Sequence, residues 1–251
     1  MEHDAYIEMA ATEQAHWWFQ GRRKILNAVI KRLGLPAAAR ILELGSGTGG
    51  NLQMLRQFGQ VTAVEQDAWA RALSLGNALG MVEVKAGWLP DGLPELGKFD
   101  LICLFDVLEH VEQDEAALGV VRDLLAPGGS VVITVPAFAK LWGLHDERMH
   151  HKRRYERAEL AAKLRQAGLT VTALSYSNMF LFPAALAMRG VDQLARRLWG
   201  RRKASGAGML PPVLNQAFAA IFGAERFLIG RFKLPIGLSL LAVARVGPEA
   251  E

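Results

Sequence analysis

The chain has 251 residues, of which 51% are apolar, a formal net charge of +4 and a single cysteine. This length and apolar content are enough for one α/β domain with an added segment. The one cysteine, Cys103, excludes a disulfide framework and a thiolate metal cluster, and it favours a reducing compartment. The basic balance alone does not indicate nucleic acid, because the positive residues are unevenly clustered.

The N-terminal residues are acidic and polar, where a signal peptide needs a basic start followed by an apolar core. No apolar run reaches the roughly 18 residues that a membrane-spanning helix requires, and residues 179–188 come nearest. We therefore expect a cytoplasmic protein. Peripheral attachment at the inner face of the membrane is kept as an open alternative.

Apolar runs rich in Val, Ile and Leu alternate with helical patterns, which predicts a mostly parallel sheet with helices on both faces. A helix or helix pair precedes the first strand. Strands are predicted over residues 40–45, 60–65, 82–87, 99–105 and 130–136, and two later ones over 169–176 and 237–246. Helices are predicted over residues 51–58, 69–79, 114–125 and 157–167, and residues 126–129 end the third of these.

The connection between the two late strands is far longer than the usual few residues. We interpret it as a helical insertion, with an amphipathic helix over residues 183–199, a basic tract over 196–208 and a second helix over 212–230. A helical cap that packs on its own domain is one interpretation of this segment. Docking on a membrane surface through basic and aromatic residues is the other.

The stretch ILELGSGTGG follows the first predicted strand, and Gly45, Gly47 and Gly50 in it satisfy G-x-G-x-x-G. Glu65 stands at the end of the second strand, at the distance where an acid accepts hydrogen bonds from ribose hydroxyls. The pattern therefore predicts a nucleoside ligand. It does not by itself distinguish NAD from another adenosine compound.

Acidic residues at the predicted strand ends discriminate between these ligands: Glu43, Glu65, Asp106 and Glu109. Glu43 would set a carboxylate where a pyrophosphate should lie, and the two charges would repel. S-adenosylmethionine (SAM) has an adenosine, a sulfonium and an α-amino group but no phosphate. The acidic rim thus suits SAM better than a dinucleotide.

Five segments between residues 41 and 136 stand in the order and approximate spacing of a known family: ILELGSGTGG, VEQD, AGWLPDGLP, FDLICLFDVLEHV and LLAPGGSVVITVP. The chain resembles the class I SAM-dependent methyltransferases, particularly the bacterial small-molecule group called type 11. The resemblance implies a Rossmann-like, seven-stranded, mostly parallel sheet with helices on both faces, the last strand antiparallel and a helical insertion between the last two strands. It implies one methyltransferase domain, with an N-terminal helical lid (1–35), a SAM-binding core (36–176), the insertion (177–235) and a final strand and tail (236–251).

The resemblance also implies a set of residues that contact SAM. They are Glu43, Gly45, Ser46, Gly47, Glu65, Gln66, Gly87, Trp88, Phe105 and Asp106. Of these, Glu65 would bind the ribose, and Asp106 belongs to the segment that passes the methyl donor. Trp88 stands where many members have an acidic or small polar residue, so it either stacks on the adenine or belongs to the core.

Two histidines are candidates for catalysis on the acceptor side. His110 follows the fourth strand and is the preferred base for a hydroxyl acceptor, unless it only caps that loop. His145 lies in LWGLHDERMHHKRRY, the segment after the fifth predicted strand. Four of its residues either contact the acceptor or a lid, or make structural polar contacts: His145, Asp146, His150 and Arg154. The basic run at 152–155 is either a site for an anionic acceptor or a solvated face. The segment lacks a specific metal-ligand spacing, and we expect no metal.

The predicted function is SAM-dependent methyl transfer to a small or lipid-like acceptor, with O-methylation favoured over N- or C-methylation. Trp17, Trp18 and Phe19 are adjacent and bulky, and they either wall the acceptor site or pack on the sheet edge. Glu43 opposes a dehydrogenase, and DVLE after the fourth strand is unlike the N/D-P-P-Y of nucleic-acid methylators, so no nucleic-acid partner is expected. A SAM-binding scaffold or regulatory protein without turnover remains the alternative.

Overall fold

The computed structural model describes residues 3–77, 80–188, 190 and 209–246. Its strands are β1 (Arg40–Leu44), β2 (Gln60–Glu65), β3 (Glu83–Ala86), β4 (Phe99–Phe105), β5 (Leu125–Pro136), β6 (Leu169–Ser177) and β7 (Ser239–Val246). Its α-helices are α1 (His3–Thr12), α2 (Trp17–Lys31), α3 (Leu52–Leu55), α4 (Ala68–Asn77), α5 (Asp114–Leu124), α6 (Leu144–Arg148), α7 (Arg157–Gln166) and α8 (Pro212–Ala224). Residues 182–188 are also helical.

The seven strands form one sheet in the order β3-β2-β1-β4-β5-β7-β6. Strand β7 runs antiparallel to both of its neighbours, and the other adjacent pairs are parallel. The fold class predicted from the sequence is therefore confirmed, including the antiparallel last strand. Because parallel strands all end at the same edge, the residues that follow β1, β2 and β4 meet there.

Helix α2 packs against α8 across the outside of this sheet. Its buried face consists of Gly21, Ile25, Leu26, Val29 and Ile30, which recur at helical spacing. A Cβ at Gly21 would lie 2.5 Å from the Phe222 ring, so the glycine lets the two helices approach closely. The N-terminal region is thus fixed to the helix that precedes the last strand.

Two predicted elements differ from the structure near the sheet. The helix predicted over residues 51–58 is only the single turn α3, because Gln60 must already pair with Arg40 in the sheet. Residues 126–129 were predicted to end a helix, but they belong to β5, which begins at Leu125. There Gly128 has φ +75°, and the pairing with β4 shifts register between Phe99 and Leu101.

The second helix of the insertion is shorter than predicted. The second helix ends at Ala224 rather than Gly230, and a 3-10 turn, Glu225–Phe227, follows it. Glu225 is fully buried, and its carboxylate accepts hydrogen bonds from the backbone N–H groups of Asn178 (2.7 Å) and Phe180 (3.0 Å). This contact ties the end of α8 to the end of β6. Most of the first predicted helix and the basic tract at 196–208 lie outside the described residues.

Candidate active site

A cavity of about 980 Å³ lies at the carboxyl edge of the sheet. Its wall is built from α1, α2, the loops after β1, β2, β3 and β4, and the segment after β5. Nine of the ten residues predicted to contact SAM line it: Gly45, Ser46, Gly47, Glu65, Gln66, Gly87, Trp88, Phe105 and Asp106. Both predicted catalytic residues, His110 and His145, also line it. Glu43 lies behind the glycine loop rather than in the wall.

The glycine loop is held in a conformation that side chains disfavour. Gly45 has φ +68° and donates its N–H to the carbonyl of Val64 (2.8 Å), which brings the loop across the end of β2. A Cβ at Gly45 would lie 2.6 Å from a methyl group of Val107. Gly47, with φ +54°, donates its N–H to Glu65 Oε2 (2.9 Å). Hydrogen bonds therefore connect the glycine loop directly to the end of β2 and to the side chain of Glu65.

Glu65 is fixed by several donors. Besides Gly47, the backbone N–H of Asp67 donates to Glu65 Oε1 (2.9 Å), and the Tyr6 hydroxyl hydrogen-bonds the same carboxylate. Burial, followed by the charges of Glu65 and Asp67, raises the pKa of Tyr6 above its ordinary value. The carboxylate is thus preorganised at the cavity wall, where it can accept hydrogen bonds from a diol.

Glu43 is fully buried and reaches the cavity only through Asn51. The Asn51 side chain donates to Glu43 Oε1 (2.9 Å) and itself lines the cavity, while Glu43 Oε2 has no hydrogen-bond partner among the described residues. Burial raises the pKa of Glu43 to about 7, against the lowering effect of the Asn51 hydrogen bond. A cation bound in the neighbouring cavity would favour its ionised form.

Asp106 pairs with a residue that the sequence analysis did not single out. The Arg22 guanidinium forms an ion pair with Asp106 and lies over the Trp18 ring, with 4.4 Å between the guanidinium carbon and the ring centroid. Asp106 has φ +57°, which the structure holds through a hydrogen bond from its N–H to the carbonyl of Thr134 (3.0 Å). The predicted donor-side acid is therefore linked to α2.

Helix α1 covers the glycine loop, through residues that the sequence analysis also missed. Thr48 donates its hydroxyl to the buried Glu13 (2.7 Å), whose carboxylate packs against Gly50. Glu8 pairs with Arg148 of α6 (2.7 Å), so α1 bridges the donor side and the segment after β5. Tertiary contacts of this kind leave no local periodicity in a sequence.

The aromatic residues of α2 divide between two surroundings. Trp17 contacts Phe218 and Phe222 of α8 edge-on, with ring centroids 5.7 Å and 6.1 Å away. Trp18 and Phe19 contact each other and the guanidinium of Arg22. All three aromatic residues line the cavity, and Trp17 also packs against α8.

Trp88 is 59% exposed and folds over Gly92 of its own loop. It is therefore not a core residue, although it lines the cavity. Its stacking on adenine stays a prediction.

Three histidines line the cavity near the segment after β5: His110, His145 and His151. The His110 ring contacts that of His151 at 4.7 Å between centroids, and His145 contacts His151 at 6.0 Å. Burial and then the charge of His151 lower the pKa of His110 to about 3, so His110 is neutral and weakly basic. His145 is exposed at the cavity rim, and His150 is exposed and outside the cavity wall.

Asp146 orders the same segment from within. Its Oδ1 lies 2.9 Å from His151 Nδ1 and accepts from Arg154 Nε (2.8 Å), and its Oδ2 accepts from the N–H of Gly143 (2.9 Å). Burial alone would raise the pKa of Asp146, but the His151 hydrogen bond and the charge and hydrogen bond of Arg154 lower it to about 2. Asp146 is therefore a buried carboxylate.

Glu109, His110 and His151 bring one potential ligand atom each within 4.8 Å of one another. Ligand atoms around a tetrahedral metal are separated by about 3.4 Å, given metal–nitrogen bonds of about 2.1 Å. Burial, followed by the charge of Asp106, raises the pKa of Glu109 and so opposes the ionised form that a metal ligand needs. The expectation that no metal binds here stays a prediction.

Comparison with known proteins identifies the family. Residues 17–174 match the family model described as a methyltransferase domain. The chain belongs to the class I SAM-dependent methyltransferases. This methyltransferase is 31% identical over 201 residues to the ubiquinone biosynthesis O-methyltransferase of Xanthomonas axonopodis pv. citri, covering 69% of this chain and 83% of that protein. Its cofactor is SAM, as predicted.

Solved structures share the fold of this methyltransferase. One is the methyltransferase in complex with the Haloferax volcanii Trm112 activator, with a TM-score of 0.63 and 16% identity, covering 100% of this chain and 98% of that one. Another is the N-methyltransferase NodS of Bradyrhizobium japonicum in complex with S-adenosylhomocysteine, with a TM-score of 0.55 and 18% identity, covering 89% and 86%. At these identities the similarity shows the fold alone.

Proposed function

We propose that this methyltransferase transfers the methyl group of SAM to a hydroxyl oxygen of a small, partly apolar acceptor. The observation that carries the proposal is the single cavity of about 980 Å³, which joins the glycine loop and Glu65 to a space walled by aromatic rings and histidines. Donor and acceptor would thus meet without crossing solvent. Bound SAM supplies a methyl group on a sulfonium, a good leaving group, so alignment and exclusion of water can provide much of the rate.

The donor half fits SAM on its own chemistry. In the proposed site, Gly45, Ser46 and Gly47 hold the methionine end, and Glu65 accepts hydrogen bonds from the ribose. Glu43 supplies buried negative potential behind them, and its unpartnered oxygen is suited to a nearby ammonium group. The remaining proposed contacts to the nucleoside and methyl donor are Gln66, Gly87, Trp88, Phe105 and Asp106.

The acceptor half supports a molecule with an apolar body. Its wall includes Trp18, Phe19, Leu141, Trp142, Leu144 and Met149. His110 and His145 stay proposed acceptor-side residues, although the low pKa of His110 counts against it as the base. Transfer to oxygen is favoured by the similarity to a protein named as an O-methyltransferase.

A labelled-methyl assay tests the proposal. The purified protein is incubated with SAM carrying a tritiated methyl group and an alkyl-substituted catechol, and matched reactions contain the corresponding aniline and thiophenol. We expect a methyl ether from the catechol, identified by mass spectrometry, and no ether with Glu65→Ala. Label on nitrogen or sulfur alone would contradict O-methylation. Binding of S-adenosylhomocysteine without transfer to any acceptor would favour the scaffold alternative.

We also propose that α8 and the turn after it meet a membrane surface. Within the described residues, no helix is both long and apolar enough to span a bilayer. Phe227 and Phe232, after α8, are nevertheless 57% and 63% exposed, and Arg226 and Arg231 are their neighbours in the sequence. Val213, at the start of α8, is 79% exposed. Exposed aromatic and basic residues together favour an anionic interface. Flotation with phosphatidylglycerol vesicles, lost in Phe227→Ser/Phe232→Ser, would support this contact, and no flotation of the wild type would contradict it.

A further inference from the structure

His151 lies at the acceptor end of the cavity, in the segment after β5. Its side chain is only 7% exposed, and it lines the cavity wall. It belongs to the segment LWGLHDERMHHKRRY, but its sequence position alone indicated no catalytic role for it. Its surroundings distinguish it from His110 and His145.

One edge of the His151 ring is fixed by Asp146. Nδ1 lies 2.9 Å from Asp146 Oδ1, and Asp146 is a buried carboxylate that Arg154 and the N–H of Gly143 hold in place. A carboxylate can only accept a hydrogen bond, so Nδ1 carries the ring proton. The lone pair is therefore on Nε2.

Among the residues that the structure describes, none forms a hydrogen bond with the other edge of the ring. Nε2 lies 3.9 Å from Glu109 Oε1, which is beyond hydrogen-bond length, and burial raises the pKa of the Glu109 carboxyl. The other titratable groups that face His151 are His110 and His145, which contact its ring, and Arg154 behind Asp146. When Nε2 takes up a proton, Asp146 can balance the charge of the imidazolium.

His110 lacks this support. Its ring hydrogen-bonds the backbone of His150 rather than a carboxylate, and its surroundings disfavour its protonated form. A proton taken from an acceptor would therefore be held poorly at His110, whereas the Asp146 carboxylate contacts the ring of His151 and can balance the charge there.

We infer that His151, oriented by Asp146, accepts the proton of the acceptor hydroxyl during methyl transfer. The inference rests on the proposed function. The proton moves from the hydroxyl to Nε2, the oxygen bonds to the methyl carbon, and the carbon–sulfur bond breaks with its electron pair left on sulfur. The products are a methyl ether, S-adenosylhomocysteine and an imidazolium that returns its proton to solvent. His151 is the catalytic residue in this step, and Asp146 is a positioning residue.

The first test requires no acceptor. Histidine-selective nitrogen-15 labelling of the protein bound to S-adenosylhomocysteine reports which nitrogens of each ring are protonated, and His151→Gln assigns the His151 signals. At neutral pH we expect Nδ1–H and an unprotonated Nε2, with that preference lost in Asp146→Asn. A wild-type His151 that is Nε2–H or doubly protonated at neutral pH would overturn the inference.

The second test measures turnover of the alkylcatechol. We expect His151→Gln to lower kcat about 100-fold or more, the range typical of general-base removal, with KM and S-adenosylhomocysteine affinity little changed. The wild-type rate should show an inflection with pH that is missing in the variant, a result that a purely structural role would not produce. His150→Asn, outside the cavity wall, is the control and should keep wild-type kcat. A wild-type kcat and pH profile in His151→Gln would contradict the inference.

Two further outcomes separate this inference from its alternatives. Activity that is abolished by a chelator and restored by Mg²⁺ or Zn²⁺ would point to metal chemistry at Glu109, His110 and His151, and it would overturn the role of His151 as a base. Failure of O-methylation itself would be seen as S-adenosylhomocysteine binding without label on any hydroxyl. The tautomer measurement then still decides whether His151 has the protonation state that the inference requires.

Discussion

Gly45 meets two constraints at once, a φ of +68° and a Val107 methyl group only 2.6 Å from where a Cβ would lie. We expect Gly45→Ala to lower the free energy of unfolding by about 2–3 kcal/mol, combining left-handed strain of about 1 kcal/mol with overpacking. Binding of S-adenosylhomocysteine should weaken as well, because the same loop places the N–H of Gly47 in its hydrogen bond to Glu65. Urea unfolding and calorimetry measure the two effects.

Gly34 provides the matched control for Gly45. It has φ +65° but nothing within 4 Å of an added Cβ, so Gly34→Ala should show the strain alone. Adding Val107→Ala to Gly45→Ala should relieve the steric part of the loss. If Gly34→Ala and Gly45→Ala cost the same, the packing part of the explanation is wrong.

Glu43 predicts a pH dependence of stability. Its folded pKa of about 7 is above the ordinary value of 4.5, so the folded protein binds more protons than the unfolded chain between those values. The stabilisation from this group is complete below about pH 4.5 and is lost as the pH rises through about 7. Glu43→Gln keeps the shape and the acceptor for Asn51. The variant should therefore gain stability relative to wild type between about pH 5 and pH 8, by about 2 kcal/mol.

Urea unfolding at both pH values, with the exposed Glu95→Gln as control, measures this gain. The same stability difference between wild type and Glu43→Gln at both pH values would mean that Glu43 is ionised throughout.

At the scale of elements, α2 has two aromatic residues with separable roles. Trp17 packs on α8, so Trp17→Ala should lower the free energy of unfolding by about 2 kcal/mol, less than for a fully buried tryptophan. Trp18 lies over Arg22 at the cavity, so Trp18→Ala should raise the KM for the acceptor and leave S-adenosylhomocysteine affinity nearly unchanged. Thermal unfolding, kinetics and calorimetry distinguish the two. Equal loss of donor and acceptor binding in Trp18→Ala would contradict the division.

Element positions could be predicted from the sequence better than element ends. Strands β2 and β4 have the predicted bounds, because buried parallel strands are short apolar runs with polar residues on either side. The lengths of α3 and α8 could not be predicted. Helix α3 is short because Gln60 must already pair with Arg40 in the sheet. Helix α8 ends just before Glu225, whose side chain is held by the backbone N–H of Asn178. Helical periodicity contains neither constraint.

For the whole molecule, motif order was enough to predict the sheet and the cofactor, and it also pointed to the edge of the sheet at which the structure has its cavity. The contacts that complete the site were not predictable, because they join segments far apart in the chain: Arg22 with Asp106, Tyr6 with Glu65. His151 could have been found from its position near Asp146, but only the structure shows which of three histidines meets that carboxylate. Local sequence patterns indicate which residues are candidates for the site, whereas the side-chain contacts between distant segments depend on how α1 and α2 pack over the sheet.

The measurement that most directly tests the account is calorimetric titration with S-adenosylhomocysteine and, separately, NADH. Glu65→Ala is the test variant and Glu95→Ala, on the exposed surface, is the control. The account predicts micromolar binding of S-adenosylhomocysteine to the wild type and the control, at least about tenfold weaker binding to Glu65→Ala, and no binding of NADH. Binding of NADH, or S-adenosylhomocysteine affinity unchanged by Glu65→Ala, would contradict the assignment of the glycine loop and Glu65 as the nucleoside site.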